Sequence, residues 1–175
     1  MSEKSDVGGE PGARGATIHA LITGYGNSCD AVHMSKPDRD GQVRAMKEAL
    51  AESGVAQQDI GYINAHGTAT IVGDTVECEA IRSVFGESAA RIPVSSTKSM
   101  HGHLLGGAGA LEMAAALMPF ADGILPPTAH LDQPDPACAV RHVAKKSERA
   151  ETPKAVMSNS FAFGGSNVVL IAEKA

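Results

Sequence analysis

Tryptophan is absent, and aromatic residues make up only 3% of the chain. A stacking platform for single-stranded nucleic acid needs several rings, so this composition excludes one. Basic residues are outnumbered, 15 Lys and Arg against 20 Asp and Glu, for a net charge of −5. That leaves no electrostatic footprint for a polyanion. Cysteine is scarce and odd in number: Cys29, Cys78 and Cys138 lie far apart. The pattern makes neither a disulfide framework nor a zinc motif, and the three read as small buried hydrophobes. A reducing cytoplasm is the expected location. Long hydrophobic runs are lacking too. The most apolar stretch, Leu104 to Ala121, is rich in Gly and Ala and contains Glu112. A membrane span needs roughly 20 mostly apolar residues, so a buried helix is expected there. The first residues are polar and Gly-rich, unlike a secretory signal.

What is present suits one globular domain. The 175 residues are 43% hydrophobic, with 19 Gly that favour tight turns and close backbone packing. Residues 1–14 hold few apolar groups and read as a flexible arm, leaving a domain over 15–175. Ala16 to Tyr25 alternates as a strand, and 26–41 reads as a long loop. Val43, Met46 and Leu50 put one apolar face on a helix from Gln42 to Ser53, stopped by Gly54. Ile60 to Asn64 is a short strand. Asp74 is a candidate cap for a helix running to Phe85. Arg91 to Ser95 reads as a strand, Ser96 to Gly107 as a loop, and Ala108 to Met118 as a helix of small residues. A Pro-rich connection (124–136) and a short strand, Val140 to Val143, follow. The chain closes on two strands, Ala155 to Ser160 and Asn167 to Glu173, joined by a Gly-rich hairpin loop. Strands alternating with helices, then a hairpin, predict an α/β fold with a mixed sheet, parallel at the crossovers and antiparallel at the end.

Three segments could carry chemistry. In Asn64-Ala65-His66-Gly67-Thr68-Ala69-Thr70, a His follows a predicted strand, where α/β sheets gather ligands, and two hydroxyls follow it. His66 is equally readable as a plain turn residue. In the segment 95–103, Lys98, His101 and His103 sit in a small-residue loop ahead of a helix, a favourable place for developing negative charge. A lysine in so small-residue a stretch needs a carboxylate partner if buried, and Glu112 is available. The alternative is a solvated basic loop. His66, His101 and His103 also admit a zinc reading, but no Asp, Glu or Cys stands at ligand spacing, so no metal is expected. In the segment 159–167, two of the chain's four Phe, Phe161 and Phe163, share one loop with Gly164 and Gly165. They could line a substrate pocket, with glycine N–H groups open to an oxyanion. Taken alone, a hairpin packed by its own rings explains this loop as well.

Together and in this order, NAHGTAT, STKSMHGHLLGGAGALE and NSFAFGGSN resemble the three C-terminal signature stretches of the β-ketoacyl-ACP synthases, the elongating condensing enzymes of fatty-acid and polyketide synthesis. GDTVECEAIRSVFG and LPPTAHLDQPDP fit the intervening segments, so the resemblance runs from about Gly15 to the C-terminus. It implies a thiolase-like half, a mixed five-stranded sheet with helices packed on it, matched in the full enzyme by a similar first half. That N-terminal half carries the cysteine nucleophile, which has no counterpart here. The resemblance implies that His66 and His103 are the catalytic histidines and that Lys98, paired with Glu112, supports them. It also implies that Thr68 and Thr70 bind the phosphopantetheine arm of an acyl carrier protein. Phe161, Phe163 and Gly164 would contact substrate, with Phe163 as a gate whose backbone N–H joins the oxyanion hole. No cofactor is implied, and the full enzyme is expected to dimerise. Two positions depart from the usual pattern: His101 stands where many relatives have Thr, and Ala162 where Gly is usual. Without the cysteine the chain alone is expected to be inactive and, with its partner face bare, prone to self-association. Met1 and the polar arm leave a separately encoded half open. A non-catalytic subunit on the same scaffold is the alternative, although the motifs are intact, unlike those of chain-length-factor subunits.

Overall fold

The computed structural model describes residues 15–175; the arm expected over 1–14 lies outside them. Eight strands and five α-helices follow in the order β1 (Ala20–Cys29), α1 (Arg39–Ser53), β2 (Ile60–Asn64), α2 (Ile71–Phe85), β3 (Pro93–Ser95), α3 (Lys98–His101), α4 (Ala108–Ala116), α5 (Met118–Asp122), β4 (Ile124–Leu125), β5 (Arg141–His142), β6 (Glu148–Arg149), β7 (Ala155–Ala162) and β8 (Ser166–Lys174). The main sheet has the order β1-β8-β7-β2-β3-β5. β1/β8 and β8/β7 are antiparallel, while β7/β2, β2/β3 and β3/β5 are parallel. The expected five strands are therefore joined by a sixth, the two-residue edge strand β5. β4 and β6 form a separate two-stranded ribbon.

The central strands β2 and β7 are buried on both faces, whereas edge strand β1 leaves Leu21, Ile22 and Tyr25 exposed. Ala45, Met46 and Ala49 of α1 and Ile81, Val84 and Phe85 of α2 pack with Ile63, Met157 and Ile171 on one side. Met113 and Ala116 of α4 and Phe120 of α5 pack with Tyr62, Val156 and Ala172 on the other. Each of the large apolar side chains among these (Val, Ile, Met, Phe) stabilises the fold by about 1.5–3 kcal/mol when fully buried. α1 lies so close to β1 that a Cβ at Gly26 would collide with the Ala45 carbonyl, and one at Gly24 with that of Ala49. Only glycine allows this approach.

Local chemistry moved several boundaries. α1 begins at Arg39, because Asp38 accepts the Gly41 N–H at 2.9 Å as N-cap. Thr70, not Asp74, caps α2: its backbone is extended and its Oγ1 accepts the Gly73 N–H at 3.2 Å. The apolar periodicity misled here because Ile71 and Val72, in the first turn, are exposed. β1 runs on to Cys29 because β8 supplies hydrogen-bonded partners as far as Ser166. At the end of this edge strand Cys29 is exposed, contrary to the expectation that all three cysteines are buried. The helix expected from Ala108 to Met118 ends at Ala116, and α5 restarts after Leu117. Pro119 has no N–H to continue the ladder, and its ring would strike the carbonyl four residues back. The expected loop 96–107 contains the single turn α3. No helix among the described residues is long and apolar enough to cross a membrane.

Candidate active site

Parallel strands β2 and β3 end side by side, with Asn64 opposite Ser95. Two motifs distant in sequence, after Asn64 and after Ser95, therefore meet at one edge of the sheet. The His66 turn is anchored by Glu77, which is 3% exposed on the inward face of α2. Its Oε1 accepts the His66 N–H and its Oε2 the Gly67 N–H, each at 2.9 Å, while Asn159 Nδ2 donates to Oε1 at 3.0 Å. Burial pushes the Glu77 carboxyl above its usual range, against the pull of these three donors. Gly67 has φ +37, and a Cβ there would come within 2.6 Å of Ser96 Cβ. Ser96 Oγ instead donates to Gly67 O at 2.8 Å, closing the two turns on each other.

The second turn is fixed by Asn64, whose Nδ2 donates to Thr97 Oγ1 (3.1 Å) and Glu112 O (2.9 Å). Lys98 Nζ lies 2.5 Å from Glu112 Oε1, and both side chains are buried, 5% and 1% exposed. The anticipated ion pair thus joins α3 to α4. His101 is held by Thr97 Oγ1, 3.1 Å from its Nε2. His103 is exposed, and its Nδ1 accepts the Leu105 N–H at 3.2 Å. In the neutral ring the proton then sits on Nε2, leaving that nitrogen a donor.

His66 and His103 meet with ring centroids 5.5 Å apart and planes at 83°, while the buried Phe161 ring lies 6.0 Å from that of His66. The His66 imidazole is held down to about 3, first by burial, then by the electrostatic influence of the neighbouring Lys98 and His103. It is neutral throughout the physiological range. His66 Nδ1 is buried with no hydrogen-bond partner among the described residues. A cavity of about 690 Å3 adjoins His103; Thr68, Thr70, Lys98, Cys78 and Cys138 are among the residues that line it. Thr68 Oγ1 and Thr70 Oγ1 are 3.5 Å apart.

The hairpin loop divides. Phe161 lies against His66, whereas Phe163 is 84% exposed. Gly164, at φ +80, donates its N–H to Met34 O at 2.6 Å, so that group is engaged and not open to an oxyanion. Sequence reasoning assigned no role to Glu77, Asn64, Thr97 or Asn159. One sign was readable: Glu77 shares the spacing of the buried Ile81, Val84 and Phe85, which puts a carboxylate on an apolar helix face.

A mixed sheet between two helical layers, with two histidine turns at the ends of neighbouring parallel strands, defines a thiolase-like α/β half. The chain belongs to the β-ketoacyl synthase family: residues 19–132, more than half of it, match the model of the β-ketoacyl synthase C-terminal domain. It is 46% identical over 164 residues to 3-oxoacyl-[acyl-carrier-protein] synthase 2 of a Synechocystis species, covering 93% of this chain and 39% of that protein. It is 48% identical over 158 residues to nodulation protein E of a Rhizobium species, covering 90% and 39%. The solved ishigamide ketosynthase/chain length factor superposes with a TM-score of 0.89 at 41% identity, over 94% of this chain and 40% of that one. A β-ketoacyl synthase from Burkholderia phymatum superposes with a TM-score of 0.84 at 40% identity, over the same shares. The chain thus spans about two fifths of the relatives it matches.

Proposed function

We propose that this chain supplies the histidine half of a decarboxylating condensation site. The observation that carries the reading is the convergence of His66 and His103 at 5.5 Å, with His66 neutral and His103 presenting Nε2–H. When a malonyl thioester loses carbon dioxide, the electron pair left on the α-carbon delocalises onto the thioester oxygen. Neutral imidazole N–H groups aimed at that oxygen stabilise the enolate, and each such donor is worth about 2.7–4 kcal/mol in a preorganised site. The carbanion then attacks an acyl thioester, expelling a thiolate. That acyl group is carried by a cysteine of a separate N-terminal half.

The surrounding groups serve this chemistry. The Lys98–Glu112 pair fixes the turn that leads to His103, and burial, reinforced by the Lys98 charge, keeps His66 from taking a proton. The buried Phe161 ring, 6.0 Å from that of His66, gives the imidazole an apolar neighbour. Thr68 and Thr70 line the cavity for a phosphopantetheine arm delivered by an acyl carrier protein, and the exposed Phe163 gates its approach, its own backbone N–H completing the oxyanion site. Met100, Leu104, Leu105 and Leu111 are exposed large hydrophobics beside the His103 turn. They form the face against which the Cys-bearing half packs, and two such complete units dimerise.

The test is complementation. The chain alone should catalyse no condensation. Mixed with a matching Cys-bearing N-terminal half, it should restore malonyl-ACP decarboxylation and condensation. His66→Ala or His103→Ala should then lower the decarboxylation rate on the order of 100-fold or more. Activity that survives both replacements would refute the assigned roles.

A further inference from the structure

His101 closes the single turn α3 and is half-buried there. Both of its ring nitrogens are engaged. Nδ1 lies 2.7 Å from Gly102 O, and Nε2 lies 3.1 Å from Thr97 Oγ1. A carbonyl oxygen only accepts, so Nδ1 carries the ring hydrogen. In the neutral ring Nε2 is then an acceptor, and it takes the Thr97 hydroxyl hydrogen. Thr97 Oγ1 in turn accepts from Asn64 Nδ2 at 3.1 Å. Thr97 and Asn64 are 0% and 1% exposed, so water does not compete for these bonds. A continuous chain therefore runs from Asn64, two residues before His66, through Thr97 and His101 to the Gly102 carbonyl.

That carbonyl belongs to the peptide that carries His103. Gly102 has φ +77, and no atom lies within 4 Å of the place a Cβ would take. Packing does not hold the peptide on that side, and glycine leaves its backbone free to turn. Hydrogen bonds hold it instead: Gly102 N–H donates to Lys98 O at 2.8 Å, and the His101 ring holds the carbonyl. We infer that His101 is a positioning residue that clamps the His103 peptide to the end of β2 and so fixes the alignment of His103 with His66. The inference rests on those two histidines being the condensation pair. His101 is not among the residues that line the cavity, so it acts through alignment and not through contact with substrate. The clamp requires opposite tautomers two residues apart, Nδ1–H on His101 and Nε2–H on His103.

The test has two arms. In the first, the 175-residue chain with isotope-labelled histidine is read by imidazole nitrogen NMR at about pH 8. His101 should show a protonated Nδ1 and His103 a protonated Nε2, with a ring-to-ring NOE between His66 and His103. His101→Phe keeps a ring but deletes both nitrogens, so that NOE should be lost. In the second arm each chain is mixed with a matching Cys-bearing N-terminal half. His101→Phe should lower kcat for malonyl-ACP decarboxylation about 10-fold or more with KM unchanged, because misalignment costs rate and not binding. His101→Gln, whose amide supplies one donor and one acceptor, should recover part of the rate and of the NOE. His101→Thr, whose hydroxyl is too short to span both partners, should behave as His101→Phe and replaces it if that variant fails to fold. A protonated Nε2 on neutral His101, an intact NOE with unchanged kcat in His101→Phe, or a loss confined to KM would overturn the clamp and leave the condensation pair standing. An inactive wild-type mixture would overturn the condensation pair instead, and the NMR arm then decides the clamp by itself.

Discussion

Replacing Glu112 by Leu removes the partner of a buried ammonium. Lys98 Nζ lies 2.5 Å from Glu112 Oε1, with 5% and 1% of the two side chains exposed. Neither atom has a hydrogen bond to another group among the described residues. In Glu112→Leu the Lys98 charge therefore keeps its desolvation cost and loses its compensation. Breaking one side of such a pair costs about 3–5 kcal/mol, a large share of the 5–15 kcal/mol that holds a typical domain together. Lys98→Met should cost a similar amount, because it strands the carboxylate instead. The double variant Lys98→Met/Glu112→Leu strands no charge and should recover most of the loss, since a well-packed apolar pair often equals a buried ion pair. Urea unfolding of all four proteins at pH 7 and one chain concentration, followed by circular dichroism, yields the coupling energy. A Glu112→Leu cost below about 1 kcal/mol, or a double variant as unstable as the sum of the singles, would refute the buried-pair argument.

Glu77→Gln should destabilise by about 1–3 kcal/mol, because an amide N–H2 replaces one acceptor oxygen and confronts a backbone donor of His66 or Gly67; urea midpoints check this, and an unchanged midpoint would count against the anchoring role. His66 is neutral when folded down to about pH 3 but titrates near 6.5 when unfolded, so between those values the unfolded state binds the extra proton. Stability should therefore fall as pH drops from 6.5, by about 1–2 kcal/mol at pH 5 once partial solvent access is allowed for. His66→Gln should flatten that slope, and equal slopes in the two proteins would show that His66 titrates normally. Thr70→Ala should cost about 1 kcal/mol by uncapping α2, whereas Asp74→Ala should cost less, and the reverse order in thermal melts would restore Asp74 as the cap.

Much of the architecture was legible in local sequence. Helices α1 and α2 follow from apolar spacing and a following glycine, and the β7–β8 hairpin from two apolar runs flanking Phe161–Ser166. Boundaries were less legible where two residues could serve one purpose, as Thr70 and Asp74 both could as caps, or where a partner strand decided, as β8 did for β1. The break at Leu117 was readable from Pro119 but was hidden inside an uninterrupted apolar run.

For the site, the sequence by itself determined which groups are available: two histidines in Gly-containing turns, a lysine and a glutamate on adjacent segments, and no family-type cysteine nucleophile. These are properties of residue type and order, and a one-dimensional pattern carries them. Tertiary structure alone decided that His66 meets His103, that Glu77 of α2 and Asn159 of β7 hold the His66 turn, and that Gly164 has spent its N–H on Met34. It also decided that Cys78 and Cys138 face one cavity while Cys29 stands outside. Each of these contacts joins segments brought together by the parallel β7-β2-β3 pairing or the β1–β8 pairing, across tens of residues. Burial, and with it the neutral His66 ring, exists only once that sheet has closed, because desolvation depends on everything packed around the group and not on its neighbours in the chain.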